Sequence, residues 1–164
     1  MSVARMLRAI GLRVTGARPE ARAHEHCDAV VAYRDVRPLL PKVDWLVLAC
    51  PLSDQTRAMI DASAIASLPR GAHLVNVARG EVVVEKEMIE ALRSGHLRGA
   101  WLDVFEYEPL DPASPLWDLP NVMVSPHSSG HSQGNYDRVA EIFLDNLGRF
   151  VAGQALRNVV PPGR

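Results

Sequence analysis

Residues 73–95, HLVNVARGEVVVEKEMIEALRSG, contain a predicted strand followed by a predicted helix, and this alternation decides the fold. The strand is expected over His73–Ala78, and an amphipathic helix over Glu85–Ser94 with Gly95 at its end. Residues 44–50, DWLVLAC, contain a continuous apolar run that is typical of a strand covered on both faces. Strands that alternate with helices in this way indicate an α/β fold with a parallel sheet.

The same alternation continues on both sides of this segment. Residues 3–10 carry apolar side chains at helical spacing, and Gly11 ends that predicted helix. Pro41 is expected to close a brief helix within residues 34–43, and Asp61 to cap the helix Ala62–Leu68. Further strands are predicted at residues 12–16, 29–33, 99–105 and 121–126, and a long helix from about Gln133 to Phe150.

Composition limits the classes of function. The chain has 164 residues, of which 48% are hydrophobic, so it can bury one core and one domain is the default expectation. Its formal net charge of −1 provides no bulk attraction to nucleic acid or to an anionic membrane, and no apolar run reaches the length of a membrane span. We therefore expect no nucleic-acid partner and no membrane partner.

Cysteine and histidine spacing indicates neither a disulfide framework nor a metal site. Cys27 and Cys50 form no spacing pattern, which favours a reducing, cytoplasmic location. His24, His26 and Cys27 lack a second cluster of ligands, so no metal is predicted. The arginines that precede the first acidic residue, Glu20, also fit an organelle transit peptide, although a helix that leads directly into a strand disfavours this alternative.

Chemistry-bearing residues follow four of the predicted strands, in the loops at residues 49–53, 77–81, 103–109 and 125–132. Ligands of open parallel sheets bind beyond the carboxyl ends of the strands, so Arg79, Asp103, Glu108 and His127 could meet there. Arginine offers a bidentate fork for a carboxylate, histidine transfers protons near neutral pH, and a nearby glutamate would hold the imidazole tautomer. Each residue taken singly also fits a structural role, so spacing alone leaves both interpretations open.

Three motifs, NVARGEVV at residues 76–83, LDVFEYEPL at 102–110 and SPHSSGHS at 125–132, resemble the D-isomer-specific 2-hydroxyacid dehydrogenases in wording and order. The resemblance extends over nearly the whole chain, through PLSDQTR at 51–57 and the C-terminal IFLDNLGRFVAGQALRNVV at 142–160. It implies an incomplete Rossmann-type parallel sheet with flanking helices, in which the first strand and the glycine loop are missing. Residues 1–131 would be a partial dinucleotide-binding domain, and residues 132–164 a helix and tail that would pack on a missing substrate domain.

The resemblance also implies catalytic roles for three residues. Arg79 matches the arginine that holds the carboxylate and carbonyl of the substrate. His127 matches the acid/base that gives a proton to the keto oxygen, and Glu108, directly before a proline, matches the partner of that histidine. One departure is Val84, which stands where the family usually has an aspartate that caps the following helix.

The implied cofactor is NADP(H), with NAD(H) as the other possibility. Arg18 lies where NAD-specific members carry an acid, and an arginine there suits a 2′-phosphate, although a solvated loop arginine is an equal alternative. Asp103 matches the residue near the nicotinamide carboxamide. The other cofactor-binding positions implied are Cys50, Pro51, Thr56, Val77, Ala78, Arg79, His127, Ser128, Ser129 and Gly130.

The expected function is hydride transfer between a nicotinamide and a small 2-oxoacid or 2-hydroxyacid. We expect little or no turnover from the chain as given, because the glycine loop and the upstream substrate segment are not in it. Two alternatives stay open: a catalytically dead fragment, and a dinucleotide-binding interaction protein similar to the corepressors of the family. A homodimer is expected for full-length members.

Overall fold

The computed structural model describes residues 2–160, which form four helices of the α type and six strands in that range. The α-helices are α1 (Ser2–Ala9), α2 (Ala62–Ser67), α3 (Glu85–Arg93) and α4 (Asn135–Val151). The strands are β1 (Thr15–Arg18), β2 (Ala29–Ala32), β3 (Trp45–Leu48), β4 (Ala72–Asn76), β5 (Leu97–Leu102) and β6 (Val122–Val124). Short 3₁₀ segments lie at Tyr33–Asp35, Arg37–Lys42, Gly80–Val82 and Pro115–Trp117. The chain divides into two compact units, Met1–Ser128 and Ser129–Arg164.

Every strand pairing within residues 2–160 is parallel, which confirms the predicted α/β class. The strands form a four-stranded sheet in the order β3-β4-β5-β6 and a separate pair, β1-β2. Register in the larger sheet places Leu74 beside Ala100, and Leu102 beside Val124. Because the strands are parallel, the loops that follow them emerge at one edge of this sheet.

The hydrophobic core lies on one face of the four-stranded sheet. Leu74 and Leu102 are 0% and 1% exposed there, and they pack with Ile65 of α2 and with Met88 and Leu92 of α3. The opposite face keeps about half of three large side chains accessible, namely Trp45 at 55%, Trp101 at 50% and Met123 at 54%. One face of the sheet therefore supplies most of the rigid support for its loops.

Three local predictions concern how helices begin and end. Asp61 caps α2 as predicted, since its carboxylate accepts a hydrogen bond from the Ala64 amide at 2.8 Å. Val84 precedes α3 with no side-chain cap, also as predicted. Pro41 was expected to close its helix, but it lies inside the 3₁₀ segment Arg37–Lys42, where a missing amide hydrogen is tolerated.

The first strand begins later than predicted. Gly11 adopts a left-handed conformation with φ 86°, and the Leu12 amide donates back to the Leu7 carbonyl at 3.1 Å. These residues finish the helix C-terminus, so the extended segment starts at Thr15 instead of Leu12.

The second unit contains α4, which begins and ends within two residues of the predicted helix. Its predicted apolar face is exposed, with Phe143 at 64% and Phe150 at 73%. Asn146 holds the following segment through two hydrogen bonds with the backbone of Arg157. That this helix packs on a substrate domain stays a prediction, and its tail beyond residue 160 lies outside the described residues. Across residues 2–160 we find no helix that is long and apolar enough to span a membrane.

Candidate active site

Backbone hydrogen bonds bring the loops after the strands of the larger sheet side by side. The Val77 amide donates to the Leu48 carbonyl at 3.0 Å, and the Asp103 amide donates to the Asn76 carbonyl at 3.0 Å. The Ser125 amide continues the series by donating to the carbonyl at the end of β5, at 2.9 Å. The polar residues of these loops therefore lie together at the carboxyl edge.

A histidine–carboxylate pair lies at this edge. The Nδ1 atom of His127 is 2.7 Å from Oε2 of Glu108, and the other carboxylate oxygen accepts the Phe105 amide at 3.0 Å. Burial raises the pKa of Glu108, but the hydrogen bonds from His127 and Phe105 and the charge of Arg79 lower it more, so the net pKa lies below the ordinary value of 4.5. At neutral pH the carboxylate is ionised, so Nδ1–H of His127 donates to it and Nε2 is left for other partners.

Arg79 joins this pair from the loop after β4. Its side chain is exposed, and one guanidinium N–H donates to the Ala78 carbonyl at 2.6 Å. It lies close enough to Glu108 for its charge to lower the pKa of that carboxyl. The structure thus brings together Arg79, Glu108 and His127, although their catalytic roles stay predictions.

His127 has an unusual backbone, with φ 50° in the left-handed region. Asp103 is 1% exposed and forms hydrogen bonds with His127 and with residues on both sides of it in the chain. The Asp103 carbonyl accepts the His127 amide at 2.9 Å, and its carboxylate accepts the Ser128 amide at 2.9 Å and the Ser125 hydroxyl. Whatever else Asp103 binds, it holds the turn that carries His127.

Two residues important for the geometry were missed by the sequence reasoning. Asn76, at the end of β4, is 2% exposed, and its side-chain amide bonds to the backbone of Ala78 and Arg79. Gly80 lies directly against the backbone of Phe105 and Glu106, where a Cβ atom would overlap. The only signal for either residue was its place beside Arg79 in the NVARGEVV motif.

The predicted cofactor residues divide by accessibility. Arg18 and Cys50 are half-buried at the ends of β1 and β3, Pro51 is exposed and Val77 half-buried. Burial raises the pKa of the Tyr33 phenol, the nearby Cys50 adds to this, and the Arg18 guanidinium opposes it. Arg18 and Cys50 therefore both lie near the end of β2.

Thr56 differs from the other predicted cofactor residues. It is 0% exposed, and its hydroxyl donates to the Pro51 carbonyl at 2.7 Å and accepts the Ser53 amide at 2.9 Å. It offers no surface to a ligand, so we correct the expected contact to an indirect one: Thr56 holds the shape of the loop after β3. Ala78 is also buried, at 3% exposed, while Ser129 and Gly130 belong to the second unit.

A comparison with known protein families finds a match to most of the chain. Residues 1–129 match the family described as "D-isomer specific 2-hydroxyacid dehydrogenase, NAD binding domain". The chain belongs to the D-isomer specific 2-hydroxyacid dehydrogenase family. This confirms the resemblance drawn from the three motifs.

Similar proteins of this family include several reductases. A glyoxylate reductase of Korarchaeum cryptofilum is 35% identical over 170 residues, covering 99% of this chain and 51% of that protein. A glyoxylate/hydroxypyruvate reductase of Arabidopsis thaliana is 39% identical over 128 residues, covering 78% of this chain and 39% of that protein. The chain spans about half the length of the curated relatives it matches, or less.

Solved structures of the family share the fold. A D-isomer specific 2-hydroxyacid dehydrogenase of Xanthobacter autotrophicus, in complex with NADPH and MES, has a TM-score of 0.82 and 38% identity, covering 98% of this chain and 66% of that one. An NADPH-dependent glyoxylate/hydroxypyruvate reductase of Sinorhizobium meliloti, in complex with NADP and sulfate, has a TM-score of 0.82 and 36% identity, covering 97% of this chain and 51% of that one.

Proposed function

We propose that this chain is the dinucleotide-binding and catalytic part of a reductase that interconverts a small 2-oxoacid, of the glyoxylate and hydroxypyruvate class, and its 2-hydroxyacid. The observation that carries the proposal is the 2.7 Å pair of His127 and Glu108 beside Arg79 at the carboxyl edge of a parallel sheet. The names of the similar reductases support the choice of substrate class.

The three side chains have complementary tasks in this reaction. The Arg79 guanidinium presents a planar fork that suits the carboxylate of a 2-oxoacid, and one of its N–H groups is already held by the Ala78 carbonyl. Glu108 accepts Nδ1–H of His127, which directs Nε2 toward the substrate as proton donor to the keto oxygen. A bound nicotinamide would supply the hydride.

We further propose that NADP(H) is preferred over NAD(H). The Arg18 guanidinium makes no hydrogen bond or ion pair with any part of the chain from residue 2 to residue 160, so it is available for a 2′-phosphate. The half-buried Cys50 and the exposed Pro51 are the nearest strand-end surface for the rest of the dinucleotide. The complexes of two similar structures with NADPH and NADP support this preference.

Arg18→Asp tests the cofactor preference. We join this chain to the upstream half of the Korarchaeum cryptofilum glyoxylate reductase and follow cofactor binding by isothermal titration calorimetry. The hybrid should bind NADPH more tightly than NADH, and Arg18→Asp should weaken binding of NADPH more than binding of NADH. Arg22→Asp is the matched control, since Arg22 already pairs with Glu20 at 2.8 Å and both are exposed. Equal affinities for the two cofactors before and after Arg18→Asp would contradict the proposal.

The reaction is tested by joining this chain to the upstream half of the Korarchaeum cryptofilum glyoxylate reductase and following NADPH oxidation with glyoxylate and hydroxypyruvate. We expect turnover that is lost in His127→Asn and falls strongly in Arg79→Lys, which keeps the charge but loses the fork. Arg98→Lys, at an exposed position on β5, is the control for arginine replacement. A folded hybrid that reduces neither substrate, or that tolerates His127→Asn, would contradict the assignment.

A further inference from the structure

We propose that Asn76 is a positioning residue that holds the backbone of Arg79 for substrate binding; this inference rests on the role proposed for Arg79. Asn76 is the last residue of β4 and is 2% exposed. Its Oδ1 accepts the Ala78 amide at 3.0 Å, and its Nδ2 donates to the Arg79 carbonyl at 3.0 Å. One side chain therefore bonds to the peptide groups on both sides of the turn that leads to Arg79.

The support for Asn76 itself is rigid. Its carbonyl accepts the Asp103 amide at 3.0 Å, so the end of β4 is joined to the end of β5. Beyond Arg79, Gly80 is packed against the backbone of Phe105. Arg79 is thus held on its N-terminal side by a side-chain amide and on its C-terminal side by a close backbone contact. Its exposed side chain is accessible to a ligand, with one guanidinium N–H already bonded to the Ala78 carbonyl.

This arrangement requires an amide side chain at position 76. Its oxygen must accept the Ala78 amide, and its nitrogen must donate to the Arg79 carbonyl. Asn76→Asp has nearly the same shape and can still accept the Ala78 amide. Its carboxylate would face the Arg79 carbonyl with no hydrogen to donate, so the second bond becomes a repulsion. Asn76→Asp therefore weakens the hold on Arg79 while it keeps the size of the side chain.

A merely structural role for Asn76 predicts a different result. Asn121 is a suitable comparison, because its Nδ2 also donates to a backbone carbonyl, that of Leu92 at 3.2 Å, and it lies at the opposite end of its strand from the strand-end loops. If both asparagines only satisfy backbone carbonyls, Asn76→Asp and Asn121→Asp should lower Tm alone. If Asn76 positions Arg79, only Asn76→Asp should also weaken binding of an anion that Arg79 holds.

The experiment measures binding of oxamate, an unreactive analogue of a 2-oxoacid, in the presence of saturating NADPH, to this chain joined to the upstream half of the Korarchaeum cryptofilum glyoxylate reductase. We expect Asn76→Asp to raise the oxamate Kd by about 10- to 100-fold, in keeping with the cost of a misplaced ligand-binding group. Asn121→Asp should leave the oxamate Kd unchanged. An Asn76→Asp variant that binds oxamate like the wild type would overturn the inference and leave the proposed function intact.

Two other outcomes are decided by the hybrid that carries the wild-type chain. If this hybrid binds NADPH but no oxamate, the proposed function fails, and the inference fails with it. If Asn76→Asp does not fold, hydrogen exchange of the wild-type Ala78 amide decides, because within residues 2–160 this amide donates to Asn76 alone. Protection of at least about tenfold over an unstructured amide supports the inference, and exchange at the unstructured rate overturns it.

Discussion

The substitution Gly80→Ala should push apart the loop that carries Arg79 and the loop that carries Glu108, which are in contact in the wild type. A Cβ atom on Gly80 would overlap the backbone of Phe105 and Glu106, and backbone cannot rotate away as a flexible side chain can. Gly80 itself is buried in the 3₁₀ turn that follows Arg79. The substitution adds one methyl group at the point where the loop after β4 meets the loop after β5.

The size of the effect follows from the overlap. Ordinary contact between carbon atoms needs about 3.5–4 Å, so the two loops must move apart by more than about 1 Å. Overpacking of this kind costs about 1–3 kcal/mol of unfolding free energy, which for a chain of this size lowers Tm by roughly 2–12 °C. A displacement of about 1 Å at a binding group can also cost about 100-fold in function, so we expect weaker oxamate binding as well.

Thermal unfolding followed by circular dichroism measures the change, with Gly148→Ala as the matched control. A Cβ atom at Gly148 meets nothing within 4 Å, and the residue lies inside α4. Alanine is favoured over glycine there by about 0.5–1 kcal/mol, so Tm should stay the same or rise. A Gly80→Ala chain whose Tm falls by less than about 1 °C would refute the argument that the loops are in backbone contact.

Three further predictions concern charge and loop shape. Asp61→Ala should cost about 1 kcal/mol of stability through loss of the cap on α2. Hydrogen bonding to Arg37 holds the pKa of Asp61 well below its usual 3.8. The stabilisation by the ionised carboxylate is therefore present above about pH 3.8 and is lost as the pH falls below that value. The difference in Tm between wild type and Asp61→Ala should narrow between about pH 6 and about pH 3. His127→Asn should raise the pKa of Glu108 toward 4.5, measured by carbon NMR of its carboxyl group, and no change would contradict the 2.7 Å pair. Thr56→Val should cost about 1–3 kcal/mol in urea unfolding by leaving loop backbone groups unpaired, whereas Thr56→Ser should remain near wild type.

Much of the fold could be predicted from the sequence because its signals are local. The apolar run at residues 44–50 and the helical spacing that ends at Gly95 each depend on a few neighbouring residues, and the structure has β3 and α3 there. Asp61 illustrates the same point, since a cap is formed within one turn of the chain. The start of β1 was missed because Gly11 and Leu12 complete a helix end, which competes with strand formation over the same residues.

The residues proposed to meet the substrate could be predicted from the sequence, but the residues that hold their loops in place could not. Parallel strands place their loops at one edge, so Arg79 and His127 could be expected to meet from topology and motif order alone. Two of the supports depend on contacts between residues far apart in the chain, namely Gly80 against Phe105 and Asp103 with Ser128. Nothing local to Thr56 marks it as buried, and nothing local to Gly80 shows that another loop leaves no room for a Cβ atom.

The sequence by itself determined the parallel α/β class, the family and the set of polar residues at the strand ends, because periodicity and motif order are properties of the chain. Only the tertiary structure decided which of those residues are accessible and which are buried and hold the loops. Asp103 shows the reason: its carboxylate accepts the Ser128 amide at 2.9 Å, although the two residues lie 25 positions apart in the chain. Such a distance is set by the pairing of β5 with β6, and no residue of the motifs determines it alone.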